Sequence, residues 1–133
     1  MKKKFLFVAA LTALFVFIIG ISSCEKPAAN KAFVGSYSVS GSCVDGSTIA
    51  SAPIVISAGS SATSIVITFG GRINLNATVS GSNFTIPDQY LTDNSGNVWT
   101  YNGTGSVTGS FLTLTYYGGW SGGENQCTLS GSH

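Results

Sequence analysis

Strict alternation of apolar and polar residues constrains this chain more than any other feature, and residues 72–80 show it most clearly. Ile73, Leu75, Ala77 and Val79 occupy every second position, and polar residues stand between them. A period of two places the apolar set on one face of a β-strand and the polar set on the other. These residues therefore predict a half-buried strand.

Comparable runs recur from Ala32 onward, where no stretch has the 3.6-residue period of a helix. Further strands are predicted over residues 33–41, 53–57, 63–69, 84–86, 97–107, 110–117 and 126–130. Pro87 is expected to end the run that begins at Phe84, because proline cannot donate a hydrogen bond to a neighbouring strand. Glycine-containing links such as Gly70-Gly71 predict tight hairpins.

About eight sequential antiparallel strands joined by tight turns predict an all-β domain over residues 32–133. We expect an up-and-down barrel, with a two-sheet sandwich as the alternative. Closure removes exposed strand edges, which a chain with only 8% charged residues protects poorly.

The first 23 residues have a different character from the rest of the chain. A basic start at residues 2–4 is followed by the apolar run of residues 5–21 and then by Ser22-Ser23. This is typical of a secretory signal peptide, and so of an N-terminal signal helix. Residues 21–24 resemble the bacterial lipobox, which implies cleavage before Cys24 and acylation of that cysteine. A retained transmembrane helix is the alternative, for which the run is slightly short.

The predicted organisation is a lipoprotein signal peptide at 1–23, a poorly ordered polar tether at 24–31 and the β domain at 32–133. Three of the six Lys and Arg residues precede Cys24, so the remainder carries a small negative net charge. Such a chain cannot neutralise a row of phosphates, so we expect no nucleic-acid partner. Membrane attachment is expected through the N-terminal lipid, because the chain lacks a basic patch for anionic headgroups.

Cys43 and Cys127 are the two cysteines left once Cys24 is lipidated. An exported protein meets an oxidising compartment, where a pair of cysteines most simply forms a disulfide. Both residues are in phase with inward-facing neighbours on the first and last strands, so the bond would join those strands. We expect neither a metal site nor a cofactor, since the single histidine is the C-terminal His133.

Five features of the strands and turns belong together: residues 33–37, Cys43, residues 79–87, residues 105–109 and Cys127. In combination they resemble small secreted lipoproteins of Bacteroidota, many of which are described as lipocalin-like. The resemblance implies a lipocalin-like barrel anchored in the cell envelope. The outer membrane is the expected location, because Glu25 and not aspartate follows Cys24, by analogy with enteric lipoproteins.

The inventory of reactive side chains predicts that the protein is not an enzyme. Serine is abundant, but no histidine other than His133 could activate it. Asp45, Asp88 and Asp93 each lie in a stretch typical of a turn, where aspartate caps the backbone. Together with Glu124 they would support hydrolysis only if two of them converged in space.

Aromatic residues are the better candidates for function. Trp99 and Tyr101 share one face of a predicted strand, and Tyr117 and Trp120 lie near the end of another. Aromatic rings line pockets for small apolar ligands, and glycans stack on them. The alternatives are that these rings fill the core, or that the protein is an accessory lipoprotein that binds another envelope protein.

Overall fold

The computed structural model describes residues 28–120 and 123–133. A short 3-10 helix, η1 (Ala29–Phe33), precedes eight strands. The strands are β1 (Gly35–Cys43), β2 (Thr48–Ala58), β3 (Ser64–Phe69), β4 (Ile73–Ser80), β5 (Asn83–Thr92), β6 (Val98–Thr108), β7 (Phe111–Trp120) and β8 (Gly123–Ser132). Each strand pairs with the next in antiparallel fashion, and β8 pairs with β1 to close the barrel. The predicted all-β, eight-stranded up-and-down barrel is confirmed, in preference to a sandwich.

The N-terminal predictions fall outside the described residues. They include the signal helix of residues 1–23 and the lipidation of Cys24. No helix in the described part of the chain combines the length and the apolar character needed to cross a bilayer.

The barrel interior is built from the apolar half of the alternating pattern. In β4, Leu75, Ala77 and Val79 are buried, while Asn76 and Thr78 between them are exposed. Every strand contributes at least one buried apolar residue to a single continuous core. Burial of this face is what selects the strand register, because a shift of one residue would turn every apolar side chain outward.

The end of the barrel where β1 begins is covered by η1. Phe33 is buried there, and its ring meets that of Phe84 edge to face at a centroid distance of 6.1 Å. Residues 29–31, which the sequence assigns to the tether, therefore belong to a turn that packs on the barrel.

Asn30 anchors this turn and is only 4% exposed. Its Nδ2 donates hydrogen bonds to the carbonyl oxygens of Ser61 and Ser64, at 3.0 and 2.9 Å. These two bonds reach carbonyls in and beside the loop between β2 and β3, so η1 is held on the barrel by polar contacts to that loop as well as by the apolar packing of Phe33.

Pro87 does not end the strand that begins before Phe84, contrary to the prediction. β5 continues to Thr92, and the pairing of β5 with β6 shifts register between Ile86 and Gln89. The missing N–H of Pro87 lies within this irregularity, where a ladder bond is not required. The strand therefore continues past the proline instead of stopping.

The seam between β4 and β5 is short as a consequence. Backbone pairing there covers only the residues from Thr78 to Ser80 on β4. Farther along, the Gln89 side chain spans the gap: Asn76 N donates to its Oε1 at 2.8 Å, and its Nε2 donates to Asn76 O at 2.7 Å. One side-chain amide thus reproduces the two bonds of a missing strand pair.

A disulfide joins Cys43 to Cys127, as the sequence predicts. The two residues face each other across β1 and β8, with their Cα atoms 4.0 Å apart. The bond therefore lies across the seam at which the last strand meets the first.

Candidate functional site

A cavity of about 270 Å³ occupies the end of the barrel opposite η1. This open end is where β1 ends and β8 begins. Inward-facing residues at the ends of several strands form the cavity walls. They are Phe69, Ile73, Trp99, Tyr101, Tyr116, Gly118, Asn125 and Cys127.

The cavity exists because an inward position on β7 is a glycine. Gly118 pairs with Tyr101, and a Cβ added at Gly118 would lie 3.3 Å from Cε1 of that ring. Nearer η1, the equivalent positions of β7 are the buried Leu112 and Leu114, which fill the interior. The packed core therefore stops at Tyr116, and the space beyond it is enclosed mainly by aromatic rings.

Two of the described residues that line this aromatic cavity, Tyr101 and Tyr116, carry a hydroxyl group. Burial raises the pKa of Tyr101, and burial together with the neighbouring Tyr101 raises the pKa of Tyr116. Both hydroxyls therefore remain protonated at neutral pH. The ring of Tyr116 is held in place by Phe69, at a centroid distance of 5.4 Å.

Asn125 lines the same wall, but its amide is engaged by the turn between β1 and β2. Its Nδ2 donates to Oδ2 of Asp45 at 2.9 Å, and Asp45 N donates to its Oδ1 at 3.4 Å. Hydrogen bonds from Ser47 and then from Asn125 lower the pKa of the Asp45 carboxyl. This network holds the turn and β8 together beside the cavity.

Two tryptophans form part of the rim. Trp99 and Trp120 are paired across β6 and β7, and their rings stack with centroids 6.1 Å apart and planes inclined by 27°. Trp99 lines the cavity, whereas Trp120 is 48% exposed. The stacked pair thus extends the aromatic wall from the cavity out to solvent.

The loop between β5 and β6 fixes the position of Trp99 through a hydrogen bond to its indole. Its Nε1 donates to Oδ2 of Asp93 at 3.1 Å, and Oδ1 of the same carboxylate accepts from the backbone N–H groups of Ser95 and Asn97. Hydrogen bonds from the Asn97 side chain and from Trp99 lower the pKa of Asp93 to about 2. The carboxylate is thus ionised at any physiological pH, so both of its oxygens can accept the hydrogen bonds from the loop and from Trp99.

A wider opening of about 690 Å³ adjoins the cavity on the side of the β4–β5 seam. Ile73, Trp99 and Tyr101 line both spaces, so the two adjoin. Arg72 lines the wider space from the β4 side and Leu91 from the β5 side. The limited pairing of these two strands leaves the wider opening between them.

The four aromatic residues singled out in the sequence occupy different environments. Trp99 and Tyr101 line the cavity, and Trp120 lies at its rim. Tyr117 is 39% exposed and lies on the outer face, one position out of phase with the inward residues of β7. Its neighbour Tyr116 lines the cavity instead, and its phase with Leu112 and Leu114 is the sequence signal that identifies it.

The described carboxylates do not meet at this site. Asp45 is bonded to Ser47 and Asn125, and Asp93 to its own loop and Trp99. Asp88 accepts from Nδ2 of Asn102 at 2.8 Å. Nowhere in residues 28–120 and 123–133 do three or more His, Cys, Asp or Glu side chains form a group that could hold a metal ion.

Comparison with solved structures finds a similar barrel in a crystal structure described as a "putative outer membrane protein" from Bacteroides fragilis. The match has a TM-score of 0.58 at 17% sequence identity, and it covers 82% of this chain and 54% of that chain. This chain therefore spans about half the length of that protein. No family model matches the sequence, and neither does any curated protein. At this identity the likeness shows a shared barrel fold.

Proposed function

We propose that this protein is an exported, lipid-anchored lipoprotein of the cell envelope, whose barrel binds a small ligand with an apolar ring. The observation that carries this proposal is the aromatic cavity of about 270 Å³ at one end of an otherwise packed barrel. A concave apolar site with a few convergent polar groups is the usual form of a small-molecule site.

The size of the cavity argues for a ring and against a long acyl chain. An apolar cavity of about 150 Å³ is enough to bind benzene. A space of about 270 Å³ therefore has room for one substituted ring or two fused rings. A glycan is the second ligand class to consider, since the exposed face of Trp120 could stack on a sugar ring.

The polar outer face of the barrel supports attachment through the lipid on Cys24. Hydroxyl groups pair across the outer surface, as in Ser106 with Thr113 at 2.8 Å and Thr115 with Thr128 at 3.4 Å. A membrane-spanning barrel has the opposite arrangement, with an apolar band outside and a polar interior. We therefore place the barrel in water beside the membrane. The likeness to the Bacteroides fragilis protein supports the outer membrane as the location.

We further propose that binding is the whole activity and that the protein is not an enzyme. The three described aspartates are engaged in separate hydrogen-bond networks, which supports a structural role for each.

An accessory role, in which another envelope protein binds the barrel, is the alternative function. It is favoured by exposed apolar side chains on the outer face of β5, β6 and β7. Tyr90 is 70% exposed, Val98 is 50% exposed, and Tyr117 lies on the same outer surface. Exposed aromatic side chains of this kind are common anchors of protein interfaces.

Filling the cavity tests the proposed function. Naphthalene is a suitable probe, and its binding to the purified protein can be followed by tryptophan fluorescence, since Trp99 lines the cavity. We expect one binding site, lost or weakened at least tenfold in Gly118→Val, with little change in Tyr117→Ala on the outer face. Binding that is absent, or that is unchanged in Gly118→Val, would overturn the proposal. Absence of naphthalene binding, together with loss of binding to an envelope protein in Tyr117→Ala, would instead favour the accessory role.

A further inference from the structure

We infer that the ligand is neutral and carries a hydrogen-bond acceptor, such as a carbonyl oxygen, that is bound between the hydroxyl groups of Tyr101 and Tyr116. This inference rests on the proposed function, because it concerns the chemistry of the ligand in the same cavity.

The two tyrosines are diagonal neighbours on the inner face of β6 and β7. Tyr101 pairs with Gly118, and Tyr116 pairs with Gly103, two positions along each strand. Side chains related in this way lie within reach of each other when they are long and aromatic. Both residues line the same cavity, so two neighbouring side chains of one aromatic wall each carry a hydroxyl group.

Both hydroxyls are available to a ligand. No hydrogen bond between described side chains involves either of them, whereas the buried Tyr37 hydroxyl donates to the carbonyl of Phe33 at 3.0 Å. A polar group that is covered without a partner costs free energy, so a bound ligand must satisfy both hydroxyls. One carbonyl oxygen has two lone pairs and can accept from both at once. An N–H group offers one proton and no lone pair, so it cannot accept a hydrogen bond from either hydroxyl.

The uncharged lining of the cavity favours a neutral ligand. None of the described residues that line the cavity carries a charge, and Arg72 lines the adjoining wider opening instead. An anion such as a carboxylate would lose its water on entering this space and meet no cation among these described residues. The raised pKa of both tyrosines has the same origin, since burial in this environment disfavours negative charge.

A matched set of ligands tests this inference with the purified protein. Acetophenone, α-methylstyrene and benzoate have nearly the same shape, but they carry a carbonyl, a methylene and a carboxylate at the same position. Their affinities can be measured by NMR chemical-shift titration. We expect Tyr101→Phe and Tyr116→Phe each to weaken acetophenone binding roughly fivefold, the effect of one neutral hydrogen bond. The affinity of α-methylstyrene should be unchanged in both variants, and benzoate should bind at least tenfold more weakly than acetophenone.

Tyr117→Phe is the control, because it removes a hydroxyl from the outer face and should change none of these affinities. The inference fails if both phenylalanine variants lower the affinities for acetophenone and α-methylstyrene equally. It also fails if they lower neither affinity, because the hydroxyls would then not be acceptor-binding groups. Benzoate binding as tight as that of acetophenone would also overturn it. In those cases α-methylstyrene still binds and the proposed function stands, whereas binding of none of the three compounds would overturn both.

Discussion

Trp99 donates its indole N–H to Oδ2 of Asp93 at 3.1 Å, which ties a cavity-lining ring to the loop between β5 and β6. The same carboxylate accepts from the backbone of Ser95 and Asn97, so the conformation of the loop and the position of the ring depend on one group. Because Trp120 stacks on Trp99, the Asp93 carboxylate influences the orientation of both tryptophans. The rim of the cavity is therefore held in place by the protein's own contacts, which would lower the entropy cost of the proposed ligand binding.

Asp93→Ala should loosen the rim. The substitution removes the acceptor of the Trp99 indole and the acceptors of the loop backbone, so the ring should become more mobile and more hydrated. In a Trp120→Phe background, which leaves Trp99 as the single tryptophan, we expect a red-shifted emission and lower anisotropy. Asp88→Ala is the control, since that carboxylate contacts Asn102 instead. Identical emission in the two variants would show that Asp93 does not position the ring.

Asp93 should also make stability depend on pH in the acid range. Its pKa is about 2 in the folded protein, below the ordinary value of about 3.9 for an unfolded chain. A lowered pKa contributes stability that is present above about pH 4 and is lost as the pH falls through about 2. The melting temperature of Asp93→Asn should therefore fall less than that of the parent protein between pH 4 and pH 2. Parallel melting profiles would contradict this assignment. Asp45, whose pKa is also lowered, should account for part of the remaining slope.

The fold could be predicted from the sequence because strand alternation is a local signal. Residues 72–80 show which face is buried without any knowledge of the partner strands, and the barrel follows from eight such runs with short links. Pro87 shows the limit of local reasoning. Whether a proline ends a strand or lies in a bulge depends on which backbone groups the neighbouring strands need, and that is a property of the assembled sheet.

The site could be predicted in part for the same reason. The phase of Trp99 and Tyr101 indicates that they share a face, but whether that face is packed or lines a cavity depends on Gly118 across the sheet. On β7 a difference of one position separates Tyr116, which lines the cavity, from Tyr117, which is exposed. A cluster of aromatic residues in the sequence therefore indicates a site only when it is known which face of the strand each residue occupies.

Removal of the disulfide should destabilise the barrel strongly. Cys43 and Cys127 are 84 residues apart in sequence, and the loop-entropy model gives a stabilisation of about 4–5 kcal/mol for a loop of that length. We expect Cys43→Ala combined with Cys127→Ala to lower the free energy of unfolding in urea by several kcal/mol. The parent protein in a reducing agent should behave in the same way. An unchanged urea midpoint would mean that the β1–β8 ladder holds the seam closed by itself.

Asn30 should stabilise the closed end of the barrel although the sequence assigns it to the tether. Asn30→Ala removes two hydrogen bonds and leaves the carbonyls of Ser61 and Ser64 without this donor. We expect the free energy of unfolding to fall by about 1–3 kcal/mol. Lys31→Ala is the control, because Lys31 is exposed in the same turn and its truncation should change stability by less than about 0.5 kcal/mol. Equal effects of the two substitutions in urea denaturation would contradict this role.

Gln89 should hold the β4–β5 seam together through its two bonds to the backbone of Asn76. Gln89→Ala should speed hydrogen exchange at the Asn76 amide, because that N–H loses its acceptor. Gln89→Glu should be more harmful at neutral pH, since a carboxylate can accept from Asn76 N but would oppose the Asn76 carbonyl with a second negative oxygen. Acidification should partly reverse that defect, because a protonated carboxyl can donate to the carbonyl. Gln126→Ala on β8 is the matched control and should leave exchange at Asn76 unchanged. If exchange at Asn76 were equally slow in Gln89→Ala, the seam would be closed without this side chain.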